Sequence, residues 1–269
     1  MSDDRPIGVF DSGVGGLTVA HAIWEQLPNE SVIYVGDGAH FPYGPKPVDE
    51  IRRYAMGIAR YLVDLGVKML VVACNSIEVS AIGDIAASAD VPVVGVIGPG
   101  VRAALRATRS GVIGVIGTEA TIRTGGYQRA VGSAATLLAA ACPAFVEFVE
   151  RGDTTSRELR EVAAGYLAPL EQGGVDTVIM GCTHYPLLSG LLQIELGPEV
   201  VLVSSAEETA RDVYAELVRS GGLRSAEDPP HHAFLTTGDA DAFRSLAELF
   251  LGREVTHVDA VHITAGVAS

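Results

Sequence analysis

Two kinds of hydrophobic pattern alternate along the chain. Short apolar runs bounded by glycine or polar residues occur at positions 7–10, 31–35, 68–73 and 91–97, again at 112–116, 137–141, 177–180 and 200–203, and last at 234–236. Runs this short and this uniformly apolar predict strands covered on both faces, as in a parallel sheet. Between them lie stretches with apolar positions three and four apart. These predict helices at 17–27, 48–65, 157–170, 207–219 and 240–251, with others following Ser76 and Thr118. Residues 36–45 are too rich in glycine and proline for regular structure and predict a loop just past a strand end. Residues 225–232 form an acidic, proline-bearing loop, and Pro99-Gly100 marks a crossover from one half of the chain to the other.

The pattern also repeats. Gly66-Val67-Lys68 followed by Val71-Val72-Ala73-Cys74-Asn75 matches Gly174-Val175-Asp176 followed by Ile179-Met180-Gly181-Cys182-Thr183, at an offset of 108 residues (74 to 182). Ile7-Gly8-Val9-Phe10-Asp11-Ser12 and Ile113-Gly114-Val115-Ile116-Gly117-Thr118 repeat at an offset of 106 (7 to 113). The expectation is an α/β fold of two pseudo-symmetric, mostly parallel-sheet domains with the active site at their interface. Residues 1–97 plus 208–269 would form the first domain and 98–207 the second, each presenting one cysteine at a strand end.

Composition narrows the function. With 48% hydrophobic residues in 269, the chain has ample core and is no disordered segment. A net charge of −14 argues against a general affinity for nucleic-acid phosphates or anionic membranes. The nearest approach to a membrane span, 134–146, is short and broken by Pro143, and no charged-then-apolar leader opens the chain. A cytoplasmic protein with no membrane or nucleic-acid partner is expected. Three cysteines without a CxxC, and no His/Cys cluster at zinc spacing, predict neither a disulfide framework nor a metal site. Only Lys46, between two prolines, and Lys68, at a strand start, could form a Schiff base, which disfavours pyridoxal phosphate chemistry.

Candidate chemistry gathers at strand ends. Asp11-Ser12-Gly13-Val14-Gly15-Gly16 is a polar, glycine-rich turn before a helix, a place where backbone approaches a ligand closely or simply turns tightly. A dinucleotide fingerprint fails there because Thr18 holds the third glycine position; Asp37, after the next strand, keeps that binding alternative open. Cys74, followed by Asn75-Ser76, and Cys182, followed by Thr183-His184, each read as either a small buried hydrophobe or a functional thiol. Both precede expected helices, whose N-terminal field favours thiolate. As a pair facing one cleft, the two thiols suit removal of a proton from one face of a carbon and return of another to the opposite face. That is racemisation or epimerisation, with Asp11 and His184 placed to orient the thiols or take up their protons. Cys142, before a proline, reads as structural.

These stretches, together with Pro42-Tyr43-Gly44 and Cys182-Thr183-His184-Tyr185-Pro186-Leu187-Leu188, resemble the bacterial glutamate racemases from Ile7 to about Ala210. The resemblance implies cofactor-independent interconversion of L- and D-glutamate, supplying D-glutamate for peptidoglycan. It implies Cys74 and Cys182 as the two catalytic bases, with Asp11 and His184 beside them as proton-handling partners. Substrate contacts would come from Asp11, Ser12, Pro42, Tyr43, Gly44, Asn75, Ser76, Thr183 and His184, and Asp37 and Glu150 would support the site. A homodimer is expected. Ser76 stands where threonine is usual, Gly38 and His40 where Thr and Arg are usual, and Glu147 where a proline is usual. The runner-up is an aspartate racemase, or a related amino-acid or hydantoin racemase.

Overall fold

The structure, a computed structural model, describes residues 2–252 and 255–265. Residues 1, 253–254 and 266–269, part of the expected first domain, lie outside the described residues. The first half runs β1 (Ile7–Asp11), α1 (Leu17–Gln26), β2 (Val32–Gly36), α2 (Val48–Asp64), β3 (Met69–Val72), α3 (Asn75–Ser88) and β4 (Val93–Val94). Helix α4 (Ile97–Ala107) crosses to β5 (Val112–Gly117), α5 (Glu119–Arg123), α6 (Gly126–Val131), β6 (Thr136–Ala141) and α7 (Ala144–Glu150). Then follow α8 (Arg157–Gln172), β7 (Thr177–Gly181), α9 (Ser189–Leu196) and β8 (Val201–Val203). Helix α10 (Ala206–Ser220) leads back to β9 (His232–Thr236), α11 (Ala240–Leu251) and β10 (Asp259–Ala260) on the first sheet.

The strands form two sheets, ordered β10-β9-β2-β1-β3-β4 and β6-β5-β7-β8, and all their pairings among the described residues are parallel. The segment β2-β1-β3-β4 has the same order as β6-β5-β7-β8, so the sequence repeat is a topological one. Ile7 pairs with both Val32 and Met69; its repeat mate Ile113 pairs with Leu137 and Thr177. Strands β3 and β7 therefore occupy equivalent places, and so do the cysteines that follow them.

Each sheet is covered on both faces, which is why its strands read as continuous apolar runs. Along β1, Ile7 and Val9 face a core closed by α1, α10 and α11, while Phe10 faces the core under α2 and α3. In the second sheet, Val178 and Met180 pack under α7, α8 and α9, and Ile179 packs on α4 and α6. Each such side chain, buried from water, contributes about 1.5–3 kcal/mol. Lys68 is fully engaged: its Nζ donates to the carbonyls of Asp3 (2.7 Å) and Gly222 (2.8 Å) and lies 2.6 Å from Glu30. The pair, buried at both ends, staples the N-terminus and the returning chain to β3.

Two expectations change. The apolar run at 91–97 is a strand only over Val93–Val94, and Ile97 already opens α4. Pro99-Gly100 lies inside that helix, so the expected crossover is helical; Pro99 sits in its first turn, where a missing N–H costs nothing. Strand β10, beyond the last predicted helix, was not in the pattern.

Candidate active site

Both cysteines sit where a strand hands over to a helix. Cys74 follows β3 and caps α3 in extended backbone; Cys182 follows β7, and a single 3-10 turn, Tyr185–Leu188, separates it from α9. The helix-terminus field expected at both thiols therefore has a full α-helix behind it only at Cys74. Even there burial wins: together with the Asp11 charge it pushes the Cys74 thiol well above its ordinary range, against the N–H of Ile77 and the hydroxyl of Ser12.

Cys74 and Cys182 line one cavity. Ser12, Asn75 and Ser76 join it from the first sheet, Thr183 and His184 from the second, and Pro42, Tyr43 and Gly44 from the loop after β2. The cavity measures about 20 Å³, room for about one water molecule. A second cavity of about 560 Å³ adjoins it, sharing Phe41, Pro42, Gly44, Thr118 and Val146. No arginine or lysine lines the inner one among the described residues. Nor do three His, Cys, Asp or Glu side chains converge there as ligands for a metal ion.

Asp11, Asp37 and Glu150 stand behind this lining. Asp11 is buried at the end of β1; its Oδ2 accepts the N–H groups of Gly13 (3.2 Å) and Gly16 (3.1 Å), and its Oδ1 has no hydrogen-bond partner among the described residues. Asp37 gathers the loop after β2 by accepting from the Tyr43 hydroxyl and from Thr237 Oγ1 (2.5 Å), with His40 Nδ1 at 2.9 Å. His40 in turn stacks on Tyr54 at 3.8 Å between ring centroids. Glu150, at the end of α7, lines the outer cavity and meets His184 Nε2 at 2.7 Å. The other ring nitrogen, Nδ1, is 3.9 Å from Cys182 Sγ. Burial alone lowers a histidine's pKa; the bonds to Cys182 and Glu150 outweigh it and raise His184 to about 10. The result is a chain of three titratable groups, thiol to imidazole to carboxylate.

The repeat makes the two thiols equivalent, but their partners differ. Asp11 has Gly117 as its mate in the second half, and His184 has Ser76 in the first. Each cysteine thus has one extra titratable neighbour, a carboxylate from β1 on one side and an imidazole from the loop after β7 on the other.

The model of Asp/Glu/hydantoin racemases matches residues 7–213. The chain belongs to this racemase family. It is 56% identical over 256 residues to a glutamate racemase of Parafrankia sp., covering 94% of this chain and 93% of that one. The crystal structure of a glutamate racemase isoform from Bacillus anthracis superposes with a TM-score of 0.91 at 41% identity, covering 96% of this chain and 97% of that chain. A Francisella tularensis glutamate racemase solved with D-glutamate matches with the same TM-score, 0.91, at 33% identity, covering 97% and 98%.

Some residues around the cavity of this racemase were not among those expected. Thr118, at the end of β5, shares a hydroxyl bond of 2.8 Å with Ser76 across the two halves, and Asn75 Nδ2 donates to the Tyr127 hydroxyl at 2.8 Å. Thr118 is the repeat mate of Ser12, so the signal was present in the sequence. Phe250 of α11 packs edge-on to His184 (5.5 Å), and nothing local in the sequence marks it. The glycine-rich turn is also closely packed by other parts of the chain. A Cβ on Gly15 would fall on Thr183 Oγ1 and 2.6 Å from His184 Nδ1; one on Gly16 would fall 2.6 Å from the Asp11 Cβ and 2.9 Å from that of Ala73. Gly15 thus admits the loop after β7, and Gly16 admits the ends of β1 and β3. Gly15→Ala is therefore expected to displace the Cys182 loop and lower racemase activity about tenfold or more, with little change in helix content. Activity within about twofold of wild type would show that the loop yields without consequence.

Proposed function

We propose that this racemase interconverts L- and D-glutamate without a cofactor, through Cys74 and Cys182 acting from opposite faces of Cα. The observation that carries the reading is the pair of thiols, at equivalent strand ends of two sheets, lining one cavity. In one direction a thiolate takes the Cα proton and becomes a thiol, while the opposite thiol gives its proton to the other face and becomes the thiolate. The reverse direction exchanges the roles. Before the next turnover in the same direction the proton inventory must reset. Asp11 beside Cys74, and His184 with Glu150 behind it beside Cys182, are the groups assigned to that task.

Substrate carboxylates are held without an arginine or lysine. Asn75 commits one amide proton to Tyr127 and keeps the other, Ser76 and Thr183 offer hydroxyls, and the turn at Ser12 offers backbone N–H groups. The free Oδ1 of Asp11 suits an ammonium or a thiol proton. Negative charge that develops at Cα is stabilised by donors already fixed in place. Pro42, Tyr43 and Gly44, braced by Asp37, close over the substrate side chain. Since the inner cavity holds about one water molecule, the walls must part to admit an amino acid.

The division into residues 1–97 plus 208–269 and 98–207 is part of this reading, as are cytoplasmic location, supply of D-glutamate to peptidoglycan synthesis and a homodimeric assembly. No helix among the described residues is long and apolar enough to cross a membrane.

The deciding experiment is circular dichroism of L-glutamate and, separately, L-aspartate with reduced protein in deuterated water and no added cofactor. Loss of optical signal with glutamate, accompanied by deuterium at Cα, is the expected result. Loss with aspartate instead would transfer the assignment to an aspartate racemase. No loss with either, in folded protein, would overturn it.

A further inference from the structure

One carboxylate close to the site has no place in the chemistry above. Glu78 lies in the first turn of α3, and its backbone N–H closes that turn on the carbonyl of Cys74 (2.9 Å). Its side chain leaves the helix and reaches the start of α4, where Oε2 accepts the N–H of Val96 (2.5 Å) and of Ile97 (2.9 Å). Helix α4 has no side-chain cap of its own at its N-terminus, and Glu78 supplies one from a distant element. The contact is tight: a Cβ on Gly95 would lie 2.5 Å from the Glu78 carboxylate, so a larger residue there would displace it.

Its position matters because α3 and α4 have different allegiances. Helix α3 begins at Cys74, Asn75 and Ser76, while α4 packs on β7, the strand that delivers Cys182. Glu78 joins them by hydrogen bonds to the backbone of Val96 and Ile97, beside the packing of Val79 on the apolar cluster that contains Ile97. We propose that Glu78 is a positioning residue, tying the turn that carries Cys74, Asn75 and Ser76 to the first turn of α4 and so fixing the spacing of the two halves of the site. This rests on the racemase reading given above.

The surroundings of Glu78 make the tie sensitive to charge. It stands between two open crevices, of about 450 and 420 Å³, behind the site. The charged groups facing it are Asp84 of α3 and Arg129 of α6 in the first, and Arg102, Asp212, Glu216 and Arg219 of α4 and α10 in the second. Of these, Asp84 pairs with Arg52, Arg102 with Asp212 and Arg219 with Glu216, while Arg129 bonds the Thr124 carbonyl. None is an ion-pair partner of Glu78 among the described residues. Burial, opposed by the two N–H donors, raises its carboxyl to about 7. Ionised, it makes charge-assisted bonds and answers the dipole of α4; protonated, it keeps an acceptor but loses both advantages.

Glu78→Gln imitates the protonated form at every pH. The expected result is a KM for glutamate about fivefold above wild type near pH 8, with a smaller change in kcat. Wild-type KM should rise toward the variant's value as pH falls from about 8 to about 6, and the variant's should stay flat. Thermal unfolding gives a readout that a merely structural cap would move the other way. Because the folded pKa is raised, ionising Glu78 costs stability at pH above it, so Glu78→Gln should melt no lower than wild type near pH 8. A variant with the wild-type KM and pH profile, or one whose activity loss follows a drop in Tm, would overturn the proposal. Wild-type protein and Cys182→Ser run beside it: a wild type that does not racemise glutamate condemns the underlying reading, whereas an active wild type with an unaffected Glu78→Gln condemns only this one.

Discussion

Cys74→Ser and Cys182→Ser are each expected to lower kcat/KM for glutamate racemisation by about 10³-fold or more. Serine fits either position, since both thiols are buried in close packing and the hydroxyl is smaller, so the melting temperature should move little. What serine lacks is acidity. A thiol ionises near neutral pH with modest help, and an alkanol does not, so the substituted side has neither base nor useful acid. One thiol alone can still remove a proton and return it to the same face. Each variant should therefore retain slow exchange of the α-proton with deuterated solvent for one enantiomer, without inversion, and the two variants should prefer opposite enantiomers. Because the two enantiomers are equal in free energy, kcat/KM must fall by the same factor in both directions. Cys142→Ala is the control. It lies outside the cavity, its Sγ faces the Ala140 carbonyl at 3.7 Å, and its own carbonyl takes the Tyr185 hydroxyl. Burial, helped by the Cys182 charge, pushes that thiol up to about 12, so it stays protonated, and its removal should leave activity within about twofold. A serine variant at position 74 or 182 that racemises within about tenfold of wild type would remove that thiol from the mechanism.

The two sheets were legible because a strand covered on both faces must be apolar at every position, and eight such runs in two matching sets can hardly build anything else. The repeat told more than the propensities, since equal offsets put Cys74 and Cys182 at equivalent strand ends before any geometry was known. What stayed hidden depended on contacts between distant parts of the chain. The run at 91–97 could not be divided locally into strand and helix, because the group that starts the helix at Ile97 is the carboxylate of Glu78 on another element. Gly15 and Gly16 carried a signal of close approach without saying what approaches, and the answer is Thr183, His184 and Asp11. Phe250 and Thr237 arrive at the site from the end of the chain, where no local pattern ties them to it. At Cys74 the expected helix field is real but smaller than the cost of burying a thiolate beside Asp11.

Glu150→Gln should move the alkaline limb of kcat to lower pH by about one unit, and His184→Asn should lower kcat/KM about 10²-fold. The His184 imidazole is buried between Cys182 and Glu150. An imidazolium at His184 holds negative charge on the neighbouring sulfur and offers a proton when the thiol must be restored. Its pKa of about 10 means that this form persists through neutral pH and is lost only in strong alkali. Part of that elevation comes from Glu150, 2.7 Å from Nε2. Replacing the carboxylate with a neutral amide keeps a hydrogen bond and removes the charge, so the imidazole gives up its proton earlier. kcat is the quantity to read, because kcat/KM also registers titration of the free amino acid's own ammonium. Profiles from about pH 6 to about pH 11, measured with both enantiomers, give the test. An alkaline limb that stays put in Glu150→Gln would mean that His184 works neutral, and that the carboxylate serves only to orient the ring.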